Sequence, residues 1–180
     1  MENYFDIEKL FKKQISGHCF PYINKEFYEV NEELGKLLQD FILENSSIQG
    51  ETRIDFNSME YQTYVQLFIV KLTGEEFKKE TIIKKYYEGI VCSISVLAPV
   101  FSISIQQWDT TLHLSNNQLI ESLPTPGFTI ESGLSNYQYE CKTITNFLQS
   151  KGLISFQDVT VLFPEIGKNV LFKSLFFIND

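Results

Sequence analysis

Two alternating segments joined by Leu97-Ala98-Pro99 constrain this chain more than any other feature. Ile90-Val-Cys-Ser-Ile-Ser-Val96 and Val100-Phe-Ser-Ile-Ser-Ile105 both run apolar against small polar. A period of two over that length is the pattern of strands with one packed face and one wetter face. Ile90, Cys92, Ile94 and Val96 form one row; Phe101, Ile103 and Ile105 form the other. The expected object is the centre of an antiparallel sheet. No catalytic motif falls on it.

Other elements surround this pair. Asn24 to Asn45 is the clearest helix, with Phe27, Val30, Leu34, Leu37, Leu38, Phe41 and Ile42 at helical spacing and Asn24 as N-cap. Tyr4 to Ile15 predicts a shorter amphipathic helix ended by Gly17. Thr52 to Phe56 and Tyr61 to Leu72 predict strands, the second rich in β-branched and aromatic residues. Thr73-Gly-Glu-Glu76 has the form of a capping box and predicts a helix containing Phe77, Ile82, Ile83, Tyr86 and Tyr87. On that helix Glu75–Lys79 and Glu80–Lys84 would be i,i+4 pairs.

Thr110 to Leu114 and Phe128 to Glu131 predict further short strands, and Asn116 to Pro126 a loop. Asn136 to Ser150 predicts a helix burying Tyr139, Ile144, Phe147 and Leu148 and capped by Gly152. Ser155 or Phe156 to Phe163 fits a short helix or a strand, and a helix capped by Ser155 and stopped by Pro164 is the favoured reading; Val170 to Ile178 reads as a last strand. The fold class is α+β: residues 1–180 as one domain, a mainly antiparallel sheet, helices packed chiefly on one face.

Composition narrows the function classes. The net charge is −8, and Arg53 is the only arginine. An acidic chain with so few bidentate phosphate donors is a poor nucleic-acid binder. Met-Glu-Asn-Tyr-Phe-Asp lacks a basic start and apolar run, and no segment reaches the length that spans a bilayer. Cys19, Cys92 and Cys141 form no C-x-x-C pair and no even-numbered framework. A reducing cytoplasm and no membrane partner are the expectations.

The chemistry-bearing residue types do not assemble into a motif. Two histidines, of which only His18 has a cysteine beside it, and no C-x-x-C pair predict no zinc site. His18 beside Cys19, and Asp109 four residues before His113, are the couples to test for catalysis. Phosphate-binding glycine signatures and G-x-S-x-G are absent. The expected catalytic, cofactor and metal sets are therefore empty.

Two surface features remain. Glu26 to Glu60 carries nine acidic residues against Lys36 and Arg53. Trp108-Asp109, expected at the end of the second central strand, pairs a hot-spot residue type with an acid. The candidate partner-binding residues are Glu29, Glu32, Glu33, Asp40, Glu44, Trp108 and Asp109.

Ser95-Val-Leu-Ala-Pro-Val-Phe-Ser-Ile103 resembles a strand, leucine, small residue, proline, aromatic, strand element, from which it departs in having Val100 between the proline and Phe101. Lys151-Gly152, Phe163-Pro164-Glu-Ile166, Val170-Leu-Phe-Lys-Ser-Leu-Phe-Phe177 and Asp180 follow it in order. Together they resemble small cytoplasmic α+β immunity proteins of bacterial polymorphic-toxin systems. The resemblance implies a non-enzymatic protein that binds and neutralises a cognate protein toxin. It carries over no catalytic residue. An acidic chain would suit a toxin with a basic binding surface. Two alternatives stand beside this: a small enzyme using Cys19, His18, Asp109 and His113, and a structural subunit of a larger assembly. Partner identity, strand order and oligomeric state are not readable from sequence.

Overall fold

The computed structural model describes residues 27–46, 48, 50–55, 63–79, 81–114, 116–121, 124–128 and 136–176. The expected Tyr4–Ile15 helix, Asn24, Phe56 and the His18-Cys19 couple lie outside these residues. In chain order the elements are α1 (Phe27–Glu44), β1 (Glu51–Asp55), β2 (Tyr64–Lys79), β3 (Ile82–Ser95), β4 (Val100–His113) and β5 (Gln118–Glu121). Then come α2 (Gln138–Ser150), β6 (Ile154–Ser155), α3 (Phe156–Leu162) and α4 (Lys168–Phe176). The class is α+β.

The sheet runs β1-β2-β3-β4-β5, all antiparallel, and β6 adds in parallel to the start of β4. The alternating segments pair as their period demands. Ile90 faces Ile105, Cys92 faces Ile103 and Ile94 faces Phe101. With Val65, Leu67 and Ile69 of β2 they form one apolar face. Val30, Leu34, Leu38 and Phe41 of α1 cover it, beside Cys141, Ile144 and Leu148 of α2. The two helices touch where the Phe41 ring meets Phe147 edge-on, centroids 5.1 Å apart.

Several expectations are corrected. The Thr73–Glu76 segment opens no helix, because β2 continues to Lys79 and turns into β3. Thr73 spends its hydroxyl on the Tyr86 carbonyl, 3.1 Å away across the ladder, at a register shift between Leu72 and Gly74. The charges proposed as helical neighbours pair across strands. Glu75 faces Lys85 at 3.6 Å, and Glu76 is opposite Lys84. Alternating Glu and Lys fit a helix face or a hairpin equally well, and the neighbouring strand decides.

The C-terminal segment is helix α4, not a strand. Leu171, Phe172, Leu175 and Phe176 recur at one, four and five residues, which is one face of a helix. They bury against Phe156 and Val159 of α3, Tyr64 and Val100 of the sheet, and Leu97 of the β3–β4 connection. Within the expected loop Asn116–Pro126, residues 118–121 pair with β4 as β5, after Asn117 takes a left-handed φ of 51°. Thr110 to His113 continues β4; Phe128 lies in no strand, and the rest of the expected Phe128–Glu131 strand lies outside the described residues.

Two expected caps are present. Ser155 accepts a hydrogen bond from the Asp158 amide at the start of α3. At the end of α2, Gly152 has φ 87°, the Leu153 amide donates to the Leu148 carbonyl, and the Gly152 amide donates to the Gln149 carbonyl. That Schellman arrangement aims β6 at β4, where the Ile154 amide donates to the Pro99 carbonyl. Tyr139, expected inside, is 67 % exposed, because Tyr137, Cys141, Ile144 and Leu148 set the buried phase of α2.

The entry to α2 is clamped to the sheet by one carboxylate. Glu88 accepts hydrogen bonds from the Gln107 amide at 2.7 Å and the Tyr137 hydroxyl at 2.8 Å. These donors, Gln107 foremost, hold its pKa below the ordinary 4.5. Burial, and then the bond to Glu88, push the Tyr137 phenol up to about 12.

Two outcomes follow from this packing. A Cβ added at Gly89 would overlap the Ile69 carbonyl oxygen and sit 2.9 Å from Val70 Cα. Gly89→Ala should therefore cost about 3 kcal/mol in urea unfolding; a change within about 0.5 kcal/mol would deny the close approach of β2 to β3. The Glu88 clamp contributes stability above pH 4.5, and that contribution fades as pH falls through the lower folded pKa. The gap in urea midpoint between the native chain and Glu88→Gln should be present at pH 7 and narrow progressively as pH falls below 4.5.

Candidate functional site

Strand parity builds the second face of the sheet. Opposite the covered face, the register places Phe68 between Arg53 and Val91, Val70 beside Glu51, and Tyr87 beside Trp108. Farther along, Lys85 faces Thr110, and Leu112 faces Leu119. α3 and α4 close only one end of this face, over Tyr64 and Val100. Next to that end the Gln106 side-chain amide donates to Ser104 Oγ at 2.7 Å and to the Thr125 carbonyl at 2.8 Å. This pins the Pro124–Phe128 segment across the middle.

Beyond it the curled sheet leaves a cleft of about 230 Å³. Phe68, Val70, Tyr87 and Trp108 line it with Glu51, Arg53, Lys85, Thr110, Leu112 and Leu119. The half-buried Trp108 ring stacks on Tyr87, centroids 5.9 Å apart and planes 23° apart. Trp108 also meets Phe68, centroids 6.1 Å apart, and Phe68 packs with Val70 and Val91. The three rings thus come from three successive strands, β2, β3 and β4. The single tryptophan and the single arginine of the chain line this one cleft.

Two other concavities are less suited to recognition. A groove of about 410 Å³ beside α3 is lined mainly by Leu153, Ile154, Val161 and Leu162, with no ring or cation. A space of about 90 Å³ beside Ser102 and Cys141 is the smallest of the three.

The expected partner residues divide between different surfaces. On α1, Glu29, Glu33, Asp40 and Glu44 fall within an arc of about 60° at 100° per residue, flanking the buried ridge. Glu32 lies outside that arc, 3.9 Å from Lys36. Glu32, Glu33, Asp40 and Glu44 are exposed and Glu29 is half-buried. α1 lies on the covered face, so the structure does not bring its carboxylates to Trp108. Trp108 and Asp109 also part, as successive strand residues must. Asp109 points with the opposite parity and meets Lys84 at 3.1 Å. Nor do they end the strand, which continues to His113.

Sequence reasoning passed over Arg53, Phe68, Lys85 and Tyr87. The signal available for three of them was parity, since Phe68 sits on the second face of β2 and Lys85 and Tyr87 would alternate along a strand. It was lost once residues 73–87 were read as a helix.

Of the residues of the enzyme alternative, His18 and Cys19 lie outside the described residues, and Asp109 and His113 stand apart. Asp109 and His113 are four residues apart along one strand, which is about 13 Å, too far for a hydrogen bond. Cys92 and Cys141 are buried in the core. Burial, with a smaller contribution from Glu140, lifts the Cys141 thiol to about 11, and burial lifts Cys92 strongly. Among the described residues no group of three or more His, Cys, Asp or Glu side chains is placed to hold a metal ion, and no helix is long and apolar enough to cross a membrane.

Comparison with protein-family models, with curated proteins and with solved structures found no match for this chain.

The raised thiol pKa values have a direct readout. In a Cys19→Ser variant at pH 8, Cys92 and Cys141 should react with Ellman's reagent only at the rate of unfolding, and both at once in denaturant. Rapid labelling of either thiol in the folded chain would contradict its burial.

Proposed function

We propose that this chain is a non-enzymatic binding protein of the immunity type, which engages and neutralises a cognate protein toxin through the open half of its sheet. The observation that carries this reading is the meeting of the chain's only tryptophan and only arginine with Tyr87 in one cleft. Trp, Tyr and Arg are the residue types most enriched among interface anchors. Each has a backbone support here: Trp108 and Tyr87 on adjacent central strands, Arg53 on the edge strand beside Phe68.

Size favours a protein partner. At about 230 Å³ the cleft falls below the roughly 300–1,000 Å³ of ordinary small-molecule pockets. It suits one or two inserted side chains, the usual scale of an interface anchor. The net charge of −8, with the carboxylate stripe of α1, supplies long-range attraction for a toxin whose binding surface is basic. The likeness to immunity proteins in the Ser95–Ile103 element and the C-terminal third points to the same class of partner.

Co-expression with a growth-arresting toxin encoded beside this chain's gene is the test. The native chain should restore growth. Trp108→Ala should weaken the purified complex by about 2 kcal/mol or more. Joint reversal of Glu32, Glu33 and Asp40 to Lys should slow association and flatten its salt dependence. Full affinity in Trp108→Ala removes the cleft from the interface; no rescue from any adjacent toxin removes neutralisation.

A further inference from the structure

We propose that β5 is an open sheet edge that takes an extended segment of the protein partner as an added strand, with an apolar residue of that segment opposite Leu119. This rests on the reading of the cleft as the partner site and adds how the partner engages the sheet beside it.

Main-chain bonding along β4 fixes which way β5 points its own amides. Just past β4, the Leu114 amide donates to the Thr81 carbonyl at 2.8 Å, continuing the register with β3. Even-numbered residues of β4 therefore turn their main chain toward β3, and odd-numbered residues turn theirs away. On that far side the Pro99 carbonyl accepts from the Ile154 amide of β6. The register of β4 with β3 and β5 carries no shift. Thr111 and His113 thus bond Ile120 and Gln118, and the amide and carbonyl of Leu119 point outward. Among the described residues no strand lies beyond β5.

Natural sheet edges are blunted by lysine, proline or a bulge. Gln118-Leu-Ile-Glu121 has none of these, and Leu119 and Ile120 are 57 % and 51 % exposed on its two faces. Shortness, at four residues, is its one protection against open-ended pairing. The Leu119 side chain ends a row, Phe77–Ile83–Leu112–Leu119, that crosses four strands in register. An apolar residue paired with Leu119 lengthens that row. Leu119 also lines the cleft with Trp108, so one partner can fill the cleft and extend the sheet.

A second copy of this chain is the poorer occupant. Four paired residues span about 13 Å and bury far less than the roughly 1,200–2,000 Å² of a stable interface. Each copy also carries a net charge of −8, which opposes self-association. A partner that occupies the cleft supplies the remaining area.

Amide exchange of the free chain, followed by NMR, tests the edge. The Leu119 amide should exchange as in an open chain, and the Ile120 amide at least about tenfold more slowly. Acetyl-Lys-Thr-Val-Thr-Lys-amide at about 10 mM should shift the Leu119 amide proton and slow its exchange. The same peptide N-methylated at valine lacks the donor for the Leu119 carbonyl and should do neither. Slow exchange of Leu119 in the free chain, no shift, or equal effects of the two peptides would overturn the proposal. Leu119 protection that grows with protein concentration would assign the edge to a second copy and overturn it too. With the toxin of the co-expression test, Leu119→Pro should bind at least about fivefold more weakly than Leu119→Ala. Both variants lose the leucine side chain, and only proline loses the outward amide. If rescue still depends on Trp108 while these two variants bind alike, the partner site stands and this inference alone fails.

Discussion

The pairing of β3 with β4, from Ile82 opposite His113 to Ile94 opposite Phe101, is the constraint from which the rest of the molecule is built. Side chains on a strand alternate between faces, so one register assigns every residue of both strands at once. In the observed register Ile90, Cys92 and Ile94 meet Ile105, Ile103 and Phe101 under α1 and α2. Tyr87 and Val91 go to the other side with Trp108 and Phe68. A slip of one residue would send the isoleucines to the open face and the aromatic pair into the core. Gly89 lies in the middle of this arrangement, where β2 approaches β3 too closely for any side chain.

The second face is divided along its length. Gln66, Ser93 and Ser102 form one transverse row in register, all buried, and the Gln66 amide donates to Ser93 Oγ at 3.0 Å. Ser95 and Ser104 lie along the same face, and Ser95 donates to the Leu175 carbonyl of α4. The polar row stands between two apolar regions, the phenylalanine cluster of α3 and α4 and the aromatic floor of the cleft. The C-terminal helices complete one region, and the other keeps Tyr87 and Trp108 half-exposed above the buried Phe68. A surface that already packs its rings against one another changes little when a partner arrives, which lowers the ordering cost of binding.

Much of the fold was legible because period and capping are local signals. The α1 stripe, the central strands, the Ser155 cap and the Gly152 turn all rest on residues within a few positions of one another. The hairpin of β2 and β3 was obscured by a local signal that another partner claimed. Thr73 can cap a helix or bond across a ladder, and the Tyr86 carbonyl took it. The segment Val170–Phe176 alternates briefly yet also carries a helical stripe, and docking on Phe156 and Val159 selects the stripe. At the site, Trp108 was readable as a residue type. Its surroundings were not, because Arg53, Phe68 and Tyr87 come to it from three other strands through register alone.

The amino-acid sequence by itself determined an acidic α+β chain with an alternating sheet centre, an amphipathic first helix and no catalytic signature, since each of these depends on composition or short-range spacing. Tertiary structure decided which face stayed open, that Trp108 and the acidic helix belong to different surfaces, and that the sole arginine shares a cleft with the sole tryptophan. Those outcomes depend on how strands from distant parts of the chain align. Main-chain pairing across the sheet sets that alignment, and no short stretch of side chains records it.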